Sequence, residues 1–98
     1  MDPNPNKPTE KRERAAVIRR LIHETLPGAA GANPAIFGPG SPLDSLGLVN
    51  FLADLEYRLG EEFGREIVLA SERAMSRSRS PFRDADALSA YIEEILNT

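Results

Sequence analysis

An apolar stripe at helical spacing occupies the middle of this chain. Large apolar residues recur every three or four positions from 48 to 63, at Leu48, Leu52, Leu55, Leu59 and Phe63. This spacing is that of one face of an α-helix, and the polar residues between them suit the opposite face. The segment that begins near Ser45 is therefore predicted as an amphipathic helix, which must bury its stripe against other elements.

The two ends of this helix carry different signals. Asp44 is a strong N-cap candidate, because its carboxylate can accept hydrogen bonds from the backbone N–H groups of the first turn. At the other end, two glycines leave two possibilities open. The helix ends either at Gly60 or one turn later at Gly64, with Phe63 still packed.

Two further segments show the same helical period. The first is predicted to start after an N-cap at Thr9 and to stop at Pro27-Gly28. Its apolar face carries Ala15, Ile18, Leu21, Ile22 and Leu26. Its other face is basic and is interpreted as solvated; it carries Lys11, Arg12, Arg14, Arg19 and Arg20.

The last helix is predicted over residues 85–96, with Asp84 as its cap. Its inner face carries Leu88, Tyr91, Ile92, Ile95 and Leu96. Residues 71–75 predict a short helix before it, and the arginine- and serine-rich run at 73–83 is interpreted mainly as solvated loop. Ile67-Val68-Leu69 resembles a strand, but no second strand pattern exists to pair with it, so an extended link is predicted.

The long connection at residues 27–44 holds four prolines and four glycines. A loop of this length is expected to be functional or packed. Ile36 and Phe37 are predicted to pin it onto the core. Together these patterns predict an all-α fold, a small four-helix bundle with a long loop between helices 1 and 2 and a short third helix.

Length and composition narrow the classes of function. The 98 residues predict one domain at 9–98 after a disordered tail at 1–8, and its small core does not suit an enzyme with its own substrate cleft. No apolar run fits a signal peptide or a membrane span, so a cytoplasmic monomer is expected. The chain has no cysteine and one histidine, His23, to which no role is assigned, and no metal site is expected.

Ser45 is the strongest candidate for a chemically used side chain. A serine hydroxyl is a poor nucleophile without a base, and no histidine lies near it in the sequence, so hydrolase chemistry is not expected. A phosphodiester attached to Ser45 would lie at the positive end of the helix dipole, near free backbone N–H groups. A serine at a helix start also has an ordinary structural use.

The segments LDSLGLVNFLADLEYRL and ALSAYIEEIL resemble acyl carrier proteins and related phosphopantetheine-binding domains over residues 9–97. The match is sharpest at Asp44-Ser45-Leu46. The resemblance implies that Ser45 carries covalent 4′-phosphopantetheine, transferred from coenzyme A by a phosphopantetheinyl transferase. It implies that Asp44 assists that reaction and that Leu46 seats the helix start. The thiol of the arm would carry acyl or aminoacyl groups as thioesters.

The resemblance also implies a set of partners, while the carrier itself is not an enzyme. These are the transferase, an acyl-loading ligase or acyltransferase, and downstream enzymes of a dedicated lipid, polyketide or other secondary pathway. Gly47 and Asn50 stand where fatty-acid carriers often have carboxylates, which indicates a specialised carrier. The predicted partner-binding residues are Leu48, Val49, Asn50, Leu52 and Glu56. Core packing remains the alternative for the leucines, and solvation the alternative for the charged residues.

Two other functions remain open on the sequence. One is a non-carrier helical protein-interaction module in which Ser45 is only a helix-start residue. The other is nucleic-acid binding through the basic first helix and the arginines of residues 73–83. The net charge of −3, the scarcity of tyrosine and the lack of a known motif count against it, so no nucleic-acid partner is expected.

Overall fold

The computed structural model describes residues 8–28, 31–38, 40–71, 74 and 80–97. Three helices lie in this part of the chain: α1 at Pro8–Thr25, α2 at Ser45–Phe63 and α3 at Ala85–Leu96. The described residues form no β-strand beyond two isolated bridges, so the all-α prediction is confirmed. The predicted short helix at 71–75 falls largely outside the described residues, as does the predicted tail at 1–8, of which only Pro8 is described.

α1 packs against both α2 and α3, and the apolar faces of the three helices meet in one core. The predicted stripes supply most of it: Ile18, Leu21, Ile22, Leu52, Leu55, Leu59, Leu88, Tyr91 and Ile92 are buried. Leu48 and Phe63, at the two ends of the α2 stripe, are partly buried. Phe51, placed to the side of the stripe by its spacing, is also buried, with 4% of its surface exposed.

The start of α1 differs from the sequence prediction. The helix begins at Pro8 and not after a cap at Thr9. Proline suits a first helical position because its fixed φ matches the helix, and its missing N–H would have had no intrahelical acceptor there. The helix therefore begins with the proline that the sequence analysis places before its cap.

Three arginines of the basic face of α1 form ion pairs with the neighbouring helices, in addition to contacting solvent. The Nε atom of Arg14 lies 3.0 Å from Glu93 Oε1, and Arg19 Nη1 lies 2.7 Å from Asp86 Oδ1. Both carboxylates belong to α3. Arg20 lies 3.7 Å from Glu62 on α2. These arginines link α1 to both neighbouring helices, because the stripe on α1 turns them toward the edges of the packed faces.

The long loop between α1 and α2 is anchored in the core as predicted. Ile36 is fully buried and Phe37 is half-buried. Their backbone N–H groups donate to the carbonyls of Arg83 and Phe82, at 3.0 and 3.1 Å. The Ala85 N–H in turn donates to Pro34 at 3.0 Å, so the loop is tied to the start of α3.

The C-terminus of α2 takes the longer of the two predicted endings. The helix runs to Phe63, and Gly64 has a left-handed conformation with φ 65°. The Gly64 N–H donates to the Gly60 carbonyl at 2.9 Å. Glycine adopts this conformation without the steric cost that other residues incur. The extra turn keeps Phe63 packed on the core.

An extended link then leads from α2 toward α3, also as predicted. Ile67 and Leu69 are buried and Val68 is 50% exposed, as expected for alternating side chains. The Leu69 N–H donates to Glu56 Oε2 on α2 at 2.7 Å. Ser71 ends the link, and its hydroxyl lies 3.1 Å from that of Tyr91 on α3.

Candidate functional site

Asp44 caps α2 and sets the position of Ser45. Its backbone is extended, with φ −88° and ψ −175°, and its Oδ1 accepts a hydrogen bond from the Gly47 N–H at 2.7 Å. The Asp44 carbonyl accepts from the Leu48 N–H at 2.9 Å. The predicted cap is confirmed, and Ser45 becomes the first residue of the helix.

Because residue 47 is a glycine, the Asp44 side chain can lie close to the backbone of the first turn of α2. A Cβ atom at this position would lie 3.1 Å from Asp44 Oδ1 and 3.3 Å from the Leu43 side chain. Both distances are shorter than an ordinary van der Waals contact with carbon. The glycine thus leaves room for the Asp44 carboxylate and for Leu43, which is half-buried and packs against the core.

Ser45 is exposed at this helix start. Within the described part of the chain, its backbone N–H and that of Leu46 donate to no protein acceptor. No acidic residue lies in the first turn of α2. Free N–H groups and the helix dipole together make this end of the helix attractive to an anionic group.

Leu46 does not seat the helix start, and that prediction is wrong. Its surface is 70% exposed, whereas Leu43 packs against the core. The reason is the position of Leu46 on the helix. It lies on the same side as Val49 and Tyr57, which are also exposed, and away from the stripe that faces the other helices.

The predicted partner face contains residues with very different environments. Val49 and Asn50 are exposed and Leu48 is half-buried. Leu52 is buried, with 4% of its surface exposed, so it lies in the core and not on the surface. Glu56 is half-buried and accepts from the N–H groups of Leu69 and Ala70, at 2.7 and 3.4 Å. Leu52 therefore packs in the core, as its place in the stripe predicts, and does not lie on the predicted partner face, while Glu56 is already bound within the chain.

Two exposed residues were missed by the sequence analysis. Tyr57 is 68% exposed, and Ala53 is exposed between it and Val49. The signal was present in the sequence, since residues 46, 49, 53 and 57 also recur every three or four positions. When one helix carries two apolar stripes, the residues of the second are easily assigned to the edge of the first.

A surface pocket of about 310 Å³ lies between the end of α1 and the first half of α2. It is lined by Thr25, Pro27, Leu43, Gly47, Asn50, Phe51 and Asp54. Ser45 is not among these lining residues. The pocket therefore lies beside the start of α2, and the Ser45 side chain does not line it.

Other kinds of site find little support among the described residues. No group of three or more potential ligands there could hold a metal ion. No described helix is long and apolar enough to cross a membrane. His23 is half-buried on α1. Arg83 is exposed and donates to the Ser80 carbonyl at 2.9 Å, while the other arginines of the 73–83 run lie outside the described residues.

Comparison with known proteins adds no relative. No protein-family model, no curated protein and no solved structure matches this chain.

Proposed function

We propose that this protein is a carrier that holds acyl or aminoacyl groups as thioesters on a 4′-phosphopantetheine arm attached to Ser45. The observation that carries the proposal is the exposed Ser45 hydroxyl on the first residue of α2, directly after the capping Asp44. The Asp44-Ser45-Leu46 resemblance to acyl carrier proteins supplies the chemistry. The carrier performs no catalysis of its own and presents its cargo to separate enzymes.

The residues at the helix start fit a phosphodiester. Ser45 offers the hydroxyl oxygen to which phosphorus would be bonded. The N–H groups of Ser45 and Leu46 have no protein acceptor in the described chain and can bind an anion. The capping Asp44 carboxylate lies at the same helix start, where it occupies the Gly47 N–H. When bound, the arm supplies a thiol, which a chain without cysteine lacks.

The four-helix bundle belongs to the same proposal. Three helices are described, and the Ser71 hydroxyl oxygen accepts from the Ala74 N–H at 3.4 Å. A serine that accepts from the N–H three residues later has the arrangement of an N-cap. This contact between Ser71 and Ala74 supports the short helix that the sequence predicts over residues 71–75.

The proposed partners follow from the carrier role. A phosphopantetheinyl transferase modifies Ser45, a loading ligase or acyltransferase charges the thiol, and downstream enzymes of a dedicated lipid, polyketide or other secondary pathway use the cargo. The chain acts as a monomer in the cytoplasm. No nucleic acid and no membrane span take part, and three of the arginines on α1 are already paired within the protein.

The test is mass spectrometry after incubation with coenzyme A and a broad-specificity phosphopantetheinyl transferase. The wild type should gain the mass of one phosphopantetheinyl group, and Ser45→Ala should gain none. Ser41→Ala, which removes a neighbouring hydroxyl outside the helix, should be modified like the wild type. Persistence of the unmodified wild-type mass, or modification of Ser45→Ala, would falsify the carrier proposal.

A second candidate is a helical interaction module in which Ser45 only begins the helix. The exposure of Leu46, Val49 and Tyr57 favours it, because exposed apolar side chains on one element often mark a protein-binding surface. This function predicts no modification in any host. It also predicts that a partner binds the wild type and Ser45→Ala equally well.

A further inference from the structure

Two side chains meet over the Cα atom of Gly47, in the first turn of α2. The Asp44 Oδ1 atom accepts a hydrogen bond from the Gly47 N–H at 2.7 Å. A Cβ atom at position 47 would lie 3.1 Å from the same Oδ1 and 3.3 Å from Leu43 Cδ2. The Asp44 carboxylate and the Leu43 side chain therefore occupy the space that a side chain at position 47 would need.

The long loop holds Leu43 in this place. Leu43 forms an isolated parallel bridge with Phe37, and the Phe37 N–H donates to the Phe82 carbonyl at 3.1 Å. The Leu43 side chain is half-buried and packs against the core. Its position is therefore set by the loop and the core, not by the helix that it covers.

The Asp44 carboxylate is fixed at one oxygen only. Its Oδ1 binds the Gly47 N–H, whereas Oδ2 has no donor among the described residues, and Asp44 is exposed. A carboxylate held in this way has a defined orientation next to Ser45. Its second oxygen remains open to an approaching enzyme.

We propose that Leu43 and Gly47 are a pair of positioning residues that orient the Asp44 carboxylate for the transfer of phosphopantetheine to Ser45. This inference rests on the proposed carrier function. In that transfer the Ser45 Oγ atom bonds to a phosphorus of coenzyme A, adenosine bisphosphate leaves, and the hydroxyl proton passes to a base of the transferase. Gly47 acts by leaving space for Asp44 Oδ1, and Leu43 acts by closing that space from the core side.

The pair makes a prediction that opposes helix propensity. Alanine is a better helix former than glycine, so propensity alone predicts a higher Tm for Gly47→Ala and no effect on modification. Ordinary contacts between non-bonded carbon atoms lie at about 3.5–4.0 Å, so a methyl group at position 47 pushes the Asp44 carboxylate away from the helix start. A small displacement of a group beside the reacting atoms slows the chemical step.

The experiment uses steady-state kinetics of Ser45 modification, with a broad-specificity phosphopantetheinyl transferase and coenzyme A. Gly47→Ala should lower kcat roughly tenfold, with the KM for the carrier within about twofold, because orientation and not binding is lost. Gly60→Ala is the matched control on the same helix. Its added Cβ would also meet a close neighbour, the Arg65 carbonyl at 3.2 Å, but it lies far from Ser45 and should leave kcat and KM unchanged.

Two further measurements test the geometry itself. In the Leu43→Ala background, Gly47→Ala should lower kcat by only about twofold, because the methyl group then has room and the two substitutions are coupled. In NMR spectra of the unmodified protein, the amide proton at position 47 should move upfield and exchange faster with solvent in Gly47→Ala, because its hydrogen bond to Asp44 lengthens. Circular dichroism at the assay temperature checks that each variant is folded.

Several results would overturn the proposal. An unchanged kcat and a higher Tm in Gly47→Ala would show that the glycine has no positioning role. A loss confined to KM would assign Gly47 to a contact with the enzyme, and equal losses in both backgrounds would remove Leu43 from the pair. If the wild type is never modified, the carrier function itself fails. Modification of the wild type together with a fully active Gly47→Ala overturns the positioning inference alone.

Discussion

The Glu56 carboxylate on α2 accepts a hydrogen bond from the Leu69 N–H at 2.7 Å, and Leu69 itself is fully buried. This contact holds the extended link against α2 at the point where the chain turns toward Ser71 and α3. It joins a helix surface residue to backbone that has no partner strand. The link therefore depends on a side chain for the hydrogen bond that a β-sheet would otherwise supply.

Removal of this carboxylate should destabilise the protein. Glu56→Ala is expected to lower the free energy of unfolding by about 1–3 kcal/mol, because the Leu69 N–H loses its acceptor in a partly buried place. Glu56→Gln keeps an acceptor oxygen and should lose less. Urea denaturation measures both. Glu61→Ala, an exposed position on the same helix, serves as the control and should change stability by less than about 0.5 kcal/mol. Equal losses at positions 56 and 61 would contradict the role of Glu56.

The Asp44 cap can be separated from any role in modification. Asp44→Ala should lower the free energy of unfolding by about 1 kcal/mol, because the Gly47 N–H loses its acceptor, whereas Asp44→Asn should stay close to the wild type. Thermal denaturation gives the stability. Under the proposed function, Asp44→Asn is modified more slowly by the transferase at unchanged stability. An Asn variant as unstable as the Ala variant would refute the capping assignment.

Truncation of Leu52 should lower the free energy of unfolding strongly, whereas truncation of Val49 should hardly change it, although both residues were predicted to bind partners. Leu52→Ala leaves a cavity in the core and should cost about 2–5 kcal/mol of unfolding free energy. Val49→Ala removes an exposed side chain and should change stability by less than about 0.5 kcal/mol. Urea denaturation of the two variants side by side checks the burial. Similar losses in both would mean that α2 is rotated relative to the arrangement described.

The hydroxyl groups of Ser71 and Tyr91 should be energetically coupled. In a double-mutant cycle of Ser71→Ala and Tyr91→Phe, the two losses are expected to be non-additive by about 0.5–1 kcal/mol. The Phe variant keeps the ring that meets Phe82 edge-on at 6.4 Å, so its loss reports on the hydroxyl. Unfolding free energies of the four proteins give the coupling. Strict additivity would show that the 3.1 Å contact contributes nothing.

Much of the architecture was predictable because its signals are local. Asp44 and Asp84 were recognised as caps, and each accepts from the N–H three residues later, at 2.7 and 2.8 Å. Ile36 was recognised as a loop anchor because a large apolar residue among prolines and glycines has few other uses. The candidate site was predicted less completely. Ser45 stands at the helix start as predicted, and Leu52 is buried as its place in the stripe predicts, which removes it from the predicted partner face. Leu46 is exposed and does not seat the helix start.

Those errors share one physical cause. Periodicity shows that α2 has apolar residues on more than one side, but it does not show which side other elements will cover. Leu46, Val49 and Tyr57 are as apolar as many core residues, and only the position of α1 and of the extended link leaves them in solvent. The α1 arginines illustrate the same point for charge, since their partners on α3 are more than sixty residues away in the sequence.

The amino-acid sequence by itself determined that three segments form helices, that Asp44 and Asp84 cap two of them, that the long loop is anchored at Ile36 and Phe37, and that Ser45 stands at a helix start. These features depend on interactions within a few residues along the chain. Only the tertiary structure decided which face of α2 is buried, that Glu56 holds the link, and that Leu46, Val49 and Tyr57 remain exposed. They depend on contacts between residues distant in sequence, which form only when α1 and the link pack against α2.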